Sequence, residues 1–507
     1  MDLLKAEIHQ DTVQFLQDLW KQDESSIIEM EQVLLNRLAE AHQSNTLEPA
    51  LRILLQDSHV VSLLPEMDEK TTEKYAKRLD KVIGAELQGA GYLRGGLSFK
   101  DWKALGKRQW EKVCVSSFKR PQRHASSLLK EDLFIEELEN LQEELFEKSW
   151  DCSLLSDGKK AWQQRLDWVR DAKHRIELMV WCIYDDHAGN EMVDLLIEKH
   201  RQGIQVRIIV DEQTIKDWNS GSSNARRLEQ AGIPFFRYRN RERPCDGVHA
   251  KLLIIDGKQA IVGGRNIGDA YMHTDPKGEK WRDMEISGTG AIAKGALKHF
   301  EKLWVEFSSK PKNLFTTIKR NTQKDSVSSA VLMQNPSGES TVLLSQLKAI
   351  SGASDYVHIE NAYFIIFPAI RLAILDALSR GVEVSILTNS PESIGEIIMM
   401  EPIMKSLPEL FRAGAKIYLK QGETLHAKFM IVDGIYSNIG SYNFHPRSER
   451  YEFESAAVFL DSNLAKELNQ EFLNDIQKSL KVSSLRELTI RSSPLNFLVE
   501  RYFFNQL

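Results

Sequence analysis

Cysteine is scarce in this sequence. Its four residues among 507, Cys114, Cys152, Cys182 and Cys245, are widely spaced, with no CxxC pair and no Cys/His cluster at metal-ligand spacing. That argues against a disulfide framework and against structural zinc. Long apolar runs are missing too: the N-terminal stretch MDLLKAEIHQDTVQFLQDLWKQDESS carries acids and polar residues every few positions. It offers neither a signal-peptide core nor a spanning helix, so a cytoplasmic chain is expected, with only an export signal of another kind left open. The third absence is net positive charge. At −6, the chain lacks the basic bias that neutralises a nucleic-acid backbone, and nucleic acid is not expected as a partner.

Length exceeds what one hydrophobic core supports, which predicts two or three domains. Residues 1–150 read as helix after helix, as in EDLFIEELENLQEELFEKSW (131–150), where Leu and Phe recur at helical spacing between acids. The glycine-rich GAGYLRGGLSF (89–99) lacks the Lys-Ser/Thr ending of a phosphate loop and reads as a turn. Beyond residue 160 the texture changes to strand-like RIELMVWCIYDD (175–186), helix-like EMVDLLIEKHRQG (191–203) and strand-like IQVRIIVDE (204–212), a βαβ unit. YVHIENAYFI (356–365), AIRLAILDALSRG (369–381) and VEVSILTNS (382–390) repeat it. The polar IKRNTQKDSVSSA (318–330) is the expected joint, giving a helical region 1–150 and two lobes, 151–325 and 326–507.

Each lobe carries one version of the same phrase. HAKLLIIDGKQAIVGGRN (249–266) and HAKFMIVDGIYSNIGSYN (426–443) keep His, Lys, Asp, Gly, Gly and Asn at identical offsets while the apolar residues drift. His249 and Lys251, like His426 and Lys428, are two apart, which on a strand puts both side chains on one face. Asp256-Gly257 and Asp433-Gly434 each separate two strand-like runs, the signature of a two-residue hairpin turn. Small residues then precede Asn266 and Asn443, whose amides can donate to a ligand. One imidazole cannot be attacking base and protonated acid in a single step, so two copies facing one pocket suit a phosphodiester. One His attacks phosphorus, the other protonates the leaving alkoxide, and Lys and Asn stabilise the oxygens. An acid should orient the imidazoles. Asp283 in WRDMEISG and Glu454 in RSERYEFES follow the two motifs, with Glu285 and Glu452 as same-parity alternatives, and Glu454 is expected to hold His426.

These H-x-K-x4-D motifs resemble the phospholipase D superfamily. The tails IVGGRNIGDAY…WRDMEISG and NIGSYNFHPRSERYEFE are similar to the bacterial cardiolipin synthase and phosphatidylserine synthase branch, notably at Gly440, Ser441, Asn443, Arg447 and Ser448. The resemblance covers roughly residues 150–480. It implies an α/β fold of two tandem α/β/α lobes with pseudo-twofold symmetry sharing one active site, behind a helical N-terminal region. It also implies a phosphohistidine intermediate and no cofactor or obligatory metal. Carried over by position, His249 and His426 are the catalytic pair, with His249 as nucleophile. Lys251, Lys428, Asn266 and Asn443 bind phosphate with Ser441 nearby, Asp256 and Asp433 brace the motifs, and Asp283 and Glu454 support the histidines. Two features depart from the family: Glu452 stands where Asn is frequent, and N-terminal spanning helices are replaced by a polar helical region. The expected substrate is a phospholipid met at a membrane surface, its phosphatidyl group passing to an alcohol or to water. A nuclease of the same superfamily is the alternative.

Three other features bear on the site. Arg237 and the run YRNRERP (238–244) read either as a solvated loop or as an anion-attracting rim. The terminal RSSPLNFLVERYFFNQL (491–507) reads as a docked helix in preference to an interfacial contact. His187 and His273 read as loop histidines.

Overall fold

A computed structural model of the chain describes residues 9–15, 18, 31–56, 69, 72–73, 76–77, 80, 99–216, 220–240, 243, 246–307, 326–336, 338–396 and 399–490. The terminal stretch 491–507, the joint residues 318–325 and nearly all of GAGYLRGGLSF lie outside them. The N-terminal region supplies helices Glu31–Gln43, Leu47–Gln56, Phe99–Cys114 and Asp132–Gln142, with an irregular stretch over 115–127. The helix expected over 131–150 stops at Gln142, and its last residues belong to a strand, β1 (Glu147–Leu155). None of the described helices is long and apolar enough to cross a membrane.

In chain order the first half continues with β2 (Arg175–Val180), β3 (Gln205–Asp211), β4 (Phe235–Tyr238), β5 (Gly247–Val248), β6 (Leu252–Ile255), β7 (Gln259–Gly263), β8 (Trp281–Arg282) and β9 (Glu285–Gly290). The second half supplies β10 (Val327–Gln334), β11 (Tyr356–Asn361), β12 (Glu383–Thr388), β13 (Lys416–Lys420), β14 (Thr424–Leu425), β15 (Lys428–Val432), β16 (Tyr436–Gly440), β17 (Glu452–Leu460) and β18 (Ser479–Lys481). Instead of two separate sheets, all but β8 and β14 form one, in the order β18-β13-β12-β11-β15-β16-β17-β10-β1-β9-β7-β6-β2-β3-β4, with β5 joined to β17 off this path and β8 paired with β14 apart from it. The halves mirror each other about the antiparallel β1–β10 pair, where the Ser149 and Ser329 hydroxyls meet at 2.7 Å.

Both faces of this sheet are covered, which is why the motif strands read as unbroken apolar runs. Along β6, Leu252 and Ile254 join one core while Leu253 and Ile255 join another. Along β15, Phe429 and Ile431 separate from Met430 and Val432 in the same way. Helices Ala291–Phe307 and Ser462–Gln477 cover the face shared by the two halves. The βαβ helices, His187–Arg201 and Pro368–Ser379, lie on the other. The first βαβ helix starts earlier than expected, because Asp186 caps it by accepting from Gly189 N at 2.9 Å, so His187 opens a helix and is not a loop residue. His273 follows the short helix Asp269–Met272 and donates through Nε2 to the Trp281 carbonyl at 3.1 Å.

The motif hairpins close as their Asp-Gly pairs predict. Asp256 and Gly257 take φ of 54° and 66°, and Asp433 and Gly434 take 52° and 62°. Lys258 N and Ile435 N then reach back to the carbonyls of Ile255 and Val432 at 2.9 and 3.0 Å. Two successive positive φ values make a turn whose twist matches the flanking strands. The Asp carboxylates do a second job. Asp256 accepts from the backbone N–H groups of Lys173, His174 and Arg175 at 2.7–3.0 Å, and Asp433 from those of Ser354, Asp355 and Tyr356 at 2.8–2.9 Å. Each turn is thereby tied to the start of its neighbouring strand, β2 or β11.

Candidate active site

The opposite ends of those strands cross the seam between the halves. β5, just before His249, pairs parallel with β17 of the second half, and His249 N donates to the Phe453 carbonyl at 2.9 Å. Symmetrically, β14 pairs with β8 of the first half, and His426 N donates to the Arg282 carbonyl at 2.7 Å. This exchange settles which acid meets which imidazole. His249 Nδ1 lies 3.0 and 3.1 Å from the two Glu454 oxygens, and His426 Nδ1 lies 2.7 Å from Asp283 Oδ2. The expectation that Glu454 holds His426 is therefore corrected: each histidine is oriented by an acid of the other half, because each motif strand enters beside the other half's tail strand.

The alternative acids resolve differently. Asp283 precedes β9 and so escapes strand parity; Glu285, within the strand, turns to Arg165 and Arg265. Glu452 and Glu454 do share a face of β17. Glu452 Oε2 lies 3.9 Å from His249 Nδ1, while its Oε1 accepts from Arg447 Nε at 2.7 Å. The Ser441 and Ser448 hydroxyls donate to Glu454. Ser441, expected at the ligand, is instead committed to this carboxylate.

His249, His426, Asn266 and Asn443 line one cleft of about 290 Å³. Asn266 Nδ2 donates to the Tyr271 hydroxyl at 3.1 Å. The Oδ1 atoms of Asn266 and Asn443 are buried without a partner. A half-turn of either amide presents an NH₂ group there, which an anionic oxygen accepts. Lys251 and Lys428 stand behind the wall, each donating to the carbonyl of its own histidine. Asp256 and Asp433, at the far ends of the strands, do not reach the cleft. Sequence reading missed the aromatic wall: Tyr271 and Trp281 pack on the His426 ring at 5.1 and 5.5 Å, and Trp181 stands edge-on to His249 at 6.3 Å. It also missed His445, which lines the cleft and accepts from Ser448 N at 2.9 Å through Nδ1. Its one signal was its place two residues after Asn443.

Burial dominates the electrostatics. It lowers His249 well below the ordinary imidazole range and His426 to about 4, with the neighbouring Lys251 and Lys428 adding to it. The same burial brings Lys251 to about 7 and Lys428 to about 8. The two acids diverge. Burial would raise Asp283, but His426, Lys428 and Arg265 overcome it and hold Asp283 at about 2. Burial and the Glu452 charge instead push Glu454 up to about 8.

His249, Glu452 and Glu454 are also the group of three metal-capable side chains among the described residues whose ligand atoms lie within 4.8 Å of one another. Their oxygens already accept from Arg447, Ser441 and Ser448, and the guanidinium opposes a cation, so the set suits proton sharing better than metal binding. The rim reading of YRNRERP finds no support in the described arginines. Arg237 pairs with Glu229, Arg239 with Glu212 at 3.7 Å, and Arg243 with Asp246 at 2.9 Å.

Comparison with known proteins gives the same outline. Residues 166–304 and 347–476 match the family model described as cardiolipin synthase, PLD-like domain. Similar proteins include the cardiolipin synthase of Oceanobacillus iheyensis, 28% identical over 366 residues, covering 69% of this chain and 74% of that protein. The major cardiolipin synthase ClsA of Bacillus subtilis is 28% identical over 358 residues, covering 66% and 71%. Among solved structures, phosphatidylserine synthase of Haemophilus influenzae shares the fold with a TM-score of 0.59 at 15% identity, over 73% of this chain and 97% of that one.

Proposed function

The chain belongs to the phospholipase D superfamily, in its cardiolipin synthase branch, and from that premise we propose that it transfers phosphatidyl groups through a phosphohistidine. The donor is a phospholipid head-group ester at a membrane surface. The acceptor is an alcohol, such as the glycerol of a second lipid, or water. The observation that carries this reading is the pairing of His249 and His426 in one cleft, each with a carboxylate at Nδ1. Nδ1 being engaged, each imidazole meets the substrate through Nε2.

In the first step, one Nε2 attacks phosphorus as the P–O bond to the head-group alkoxide breaks, and the other imidazole protonates that alkoxide. In the second, the acceptor hydroxyl returns a proton to the second imidazole, its oxygen bonds to phosphorus and the P–N bond breaks. The amides of Asn266 and Asn443 hold the non-bridging oxygens, and the buried lysines add positive potential behind them. No cofactor is required by this scheme. The nuclease alternative is disfavoured by carboxylates in the cleft wall, Asp186, Glu396 and Glu452, which repel a polyanion.

The test is to incubate purified protein with mixed phospholipids, with and without added glycerol, and to identify the products by mass spectrometry. Cardiolipin or a new phosphatidyl-alcohol is the expected product. Phosphatidic acid alone would redefine the enzyme as a hydrolase, and absence of turnover would refute the proposal.

A further inference from the structure

The cleft is symmetric in its histidines and asymmetric in its acids. His426 meets one carboxylate, Asp283, which also accepts from Met284 N at 2.7 Å. His249 meets two, Glu454 at 3.0 Å and Glu452 at 3.9 Å, both buried, with Glu452 at the cleft wall. Building on the phosphatidyl-transfer reading, we infer that this second carboxylate makes the histidines unequal, with His249 the proton donor to the leaving alkoxide and His426 the nucleophile. The resemblance alone implied the reverse order.

Two neighbouring buried carboxylates cannot both remain charged cheaply, so one of them keeps a proton unless each has its own cation. Arg447 Nε is bonded to Glu452, which makes Glu452 the ionised member. Glu454 has only neutral hydroxyl donors, Ser441 and Ser448, and is the member that retains the proton. A protonated Glu454 donates to His249 Nδ1, which places the ring hydrogen on Nε2, facing the cleft. An ionised Asp283 does the opposite: it accepts Nδ1–H from His426 and leaves a lone pair on Nε2.

The remaining charged neighbours divide. Burial, Lys251 and Lys428 from the motif strands and His426 across the cleft disfavour an imidazolium at His249 and outweigh the opposing Glu452 charge. Lys251 favours a charged Glu454 but is overcome by burial and Glu452. His249, then Arg447 and His445 from the segment before β17, favour the charge of Glu452 against its burial. Asp211, at the end of β3, is occupied by the backbone N–H groups of Val248 and Gln213 at 2.8 and 2.7 Å. A neutral imidazole with a protonated carboxylic acid behind it is still a competent donor. As Nε2–H passes to the alkoxide oxygen, the Glu454 proton moves to Nδ1, the P–O bond breaks and the His426 Nε2–P bond forms. The acceptor hydroxyl later returns its proton by the same path while the P–N bond breaks. Glu452 touches no substrate atom in this scheme; it is a positioning residue acting through Glu454 and His249.

The assignment is tested by rate–pH profiles of wild type and Glu452→Gln on phosphatidylglycerol vesicles. Removing the Glu452 charge lowers the proton affinity of Glu454, so the basic limb of kcat/KM moves down by about one to three pH units while the acid limb stays. Movement of the acid limb, or of neither limb, overturns the inference. A second measurement uses wild-type protein and phosphorus-radiolabelled bis(para-nitrophenyl) phosphate, quenched and mapped by peptide. Label on His426 is expected; label on His249, or no acid-labile label, overturns it. Since that diester contains no lipid, label on His426 together with inactivity on vesicles would refute phosphatidyl transfer alone.

Discussion

The two halves put the same His, Lys, Asp and Asn on the same hairpin, yet their histidines live in different surroundings. In the first half the ring faces a pair of carboxylates on β17, beside a guanidinium. In the second it faces a single carboxylate and packs against Tyr271 and Trp281. A duplicated motif fixes which groups reach the cleft, whereas the neighbours brought by the other half decide what each group does there. Substitutions made in matched pairs expose that difference.

The largest effect comes from the histidines. His426→Ala should remove detectable turnover and every trace of phosphoenzyme, because it deletes the nucleophile. His249→Ala should cost about 10²- to 10⁴-fold on a lipid whose leaving group needs a proton. The same variant should still form phosphoenzyme from a para-nitrophenyl diester, whose leaving group departs as the anion. Single-turnover kinetics on the two substrates check this, and equal losses for both variants on both substrates would show the halves to be equivalent.

Next come the crossed acids. Asp283→Asn offers His426 an amide that can donate as well as accept, so the tautomer with a free Nε2 lone pair is no longer enforced, and kcat should fall by roughly 10²- to 10⁴-fold. Glu454→Gln keeps a donor opposite His249 Nδ1 and preserves Nε2–H but has no proton to pass to Nδ1, so its loss should also reach roughly 10²- to 10⁴-fold, with the basic limb of the pH profile abolished. Steady-state kinetics across pH compare the two, and a Glu454→Gln variant that stayed within about tenfold of wild type would contradict the proton-relay assignment.

The hairpins, the His-x-Lys spacing and the Asp-Gly turns were legible because they are local. HAKLLIID fixes its register within eight residues, and positive φ at Asp256-Gly257 follows from the turn chemistry of those two residues. The acid assignment was not legible, since it depends on β5 lying beside β17 and β14 beside β8, contacts spanning some 140 to 200 residues of sequence. Parity failed at Asp283 for a related reason: it sits just before the strand whose alternation was used to place it. Ser441 was misread because its sequence position beside Asn443 says nothing about Glu454, which packs against it from the neighbouring strand.

Where the halves are alike, matched substitutions should behave alike. Asp256→Ala and Asp433→Ala each strip a carboxylate acceptor from three backbone N–H groups. Each should lower unfolding free energy by about 1–3 kcal/mol, measured by denaturant titration, without moving either limb of the rate–pH profile. Burial would raise Asp256, but its backbone donors outweigh that and hold it below the ordinary carboxylate range. Its stabilisation is accordingly full above the unfolded-state pKa and lost as pH falls through the folded one. A shifted limb in either variant would mean that the braces reach the chemistry after all.

The smallest effect tests a contact that belongs to the second half alone. Helix Phe99–Cys114 packs against helix Pro368–Ser379, with Trp102 on Phe367 at 5.8 Å and Gly106 so close to Ala369 N that a Cβ there would come within 2.6 Å. From this helix Gln109 Nε2 donates to Glu449 Oε1 at 2.6 Å, while Tyr442 and Gln334 donate to Oε2 at 2.8 and 3.0 Å. The N-terminal region thus helps to hold the segment between Asn443 and β17. Gln109→Leu removes one of these donors and should cost about 1 kcal/mol near neutral pH. Burial pushes Glu449 above the ordinary carboxylate range even with its donors in place, so the charged form is the one that needs Gln109. The sign follows: the raised pKa makes Glu449 favour folding at low pH and oppose it as pH rises through the folded value, and losing a donor deepens that opposition. The stability gap between Gln109→Leu and wild type should therefore widen with rising pH, as thermal melts across pH would show, and a gap independent of pH would mean that Gln109 acts through packing and not through the Glu449 charge.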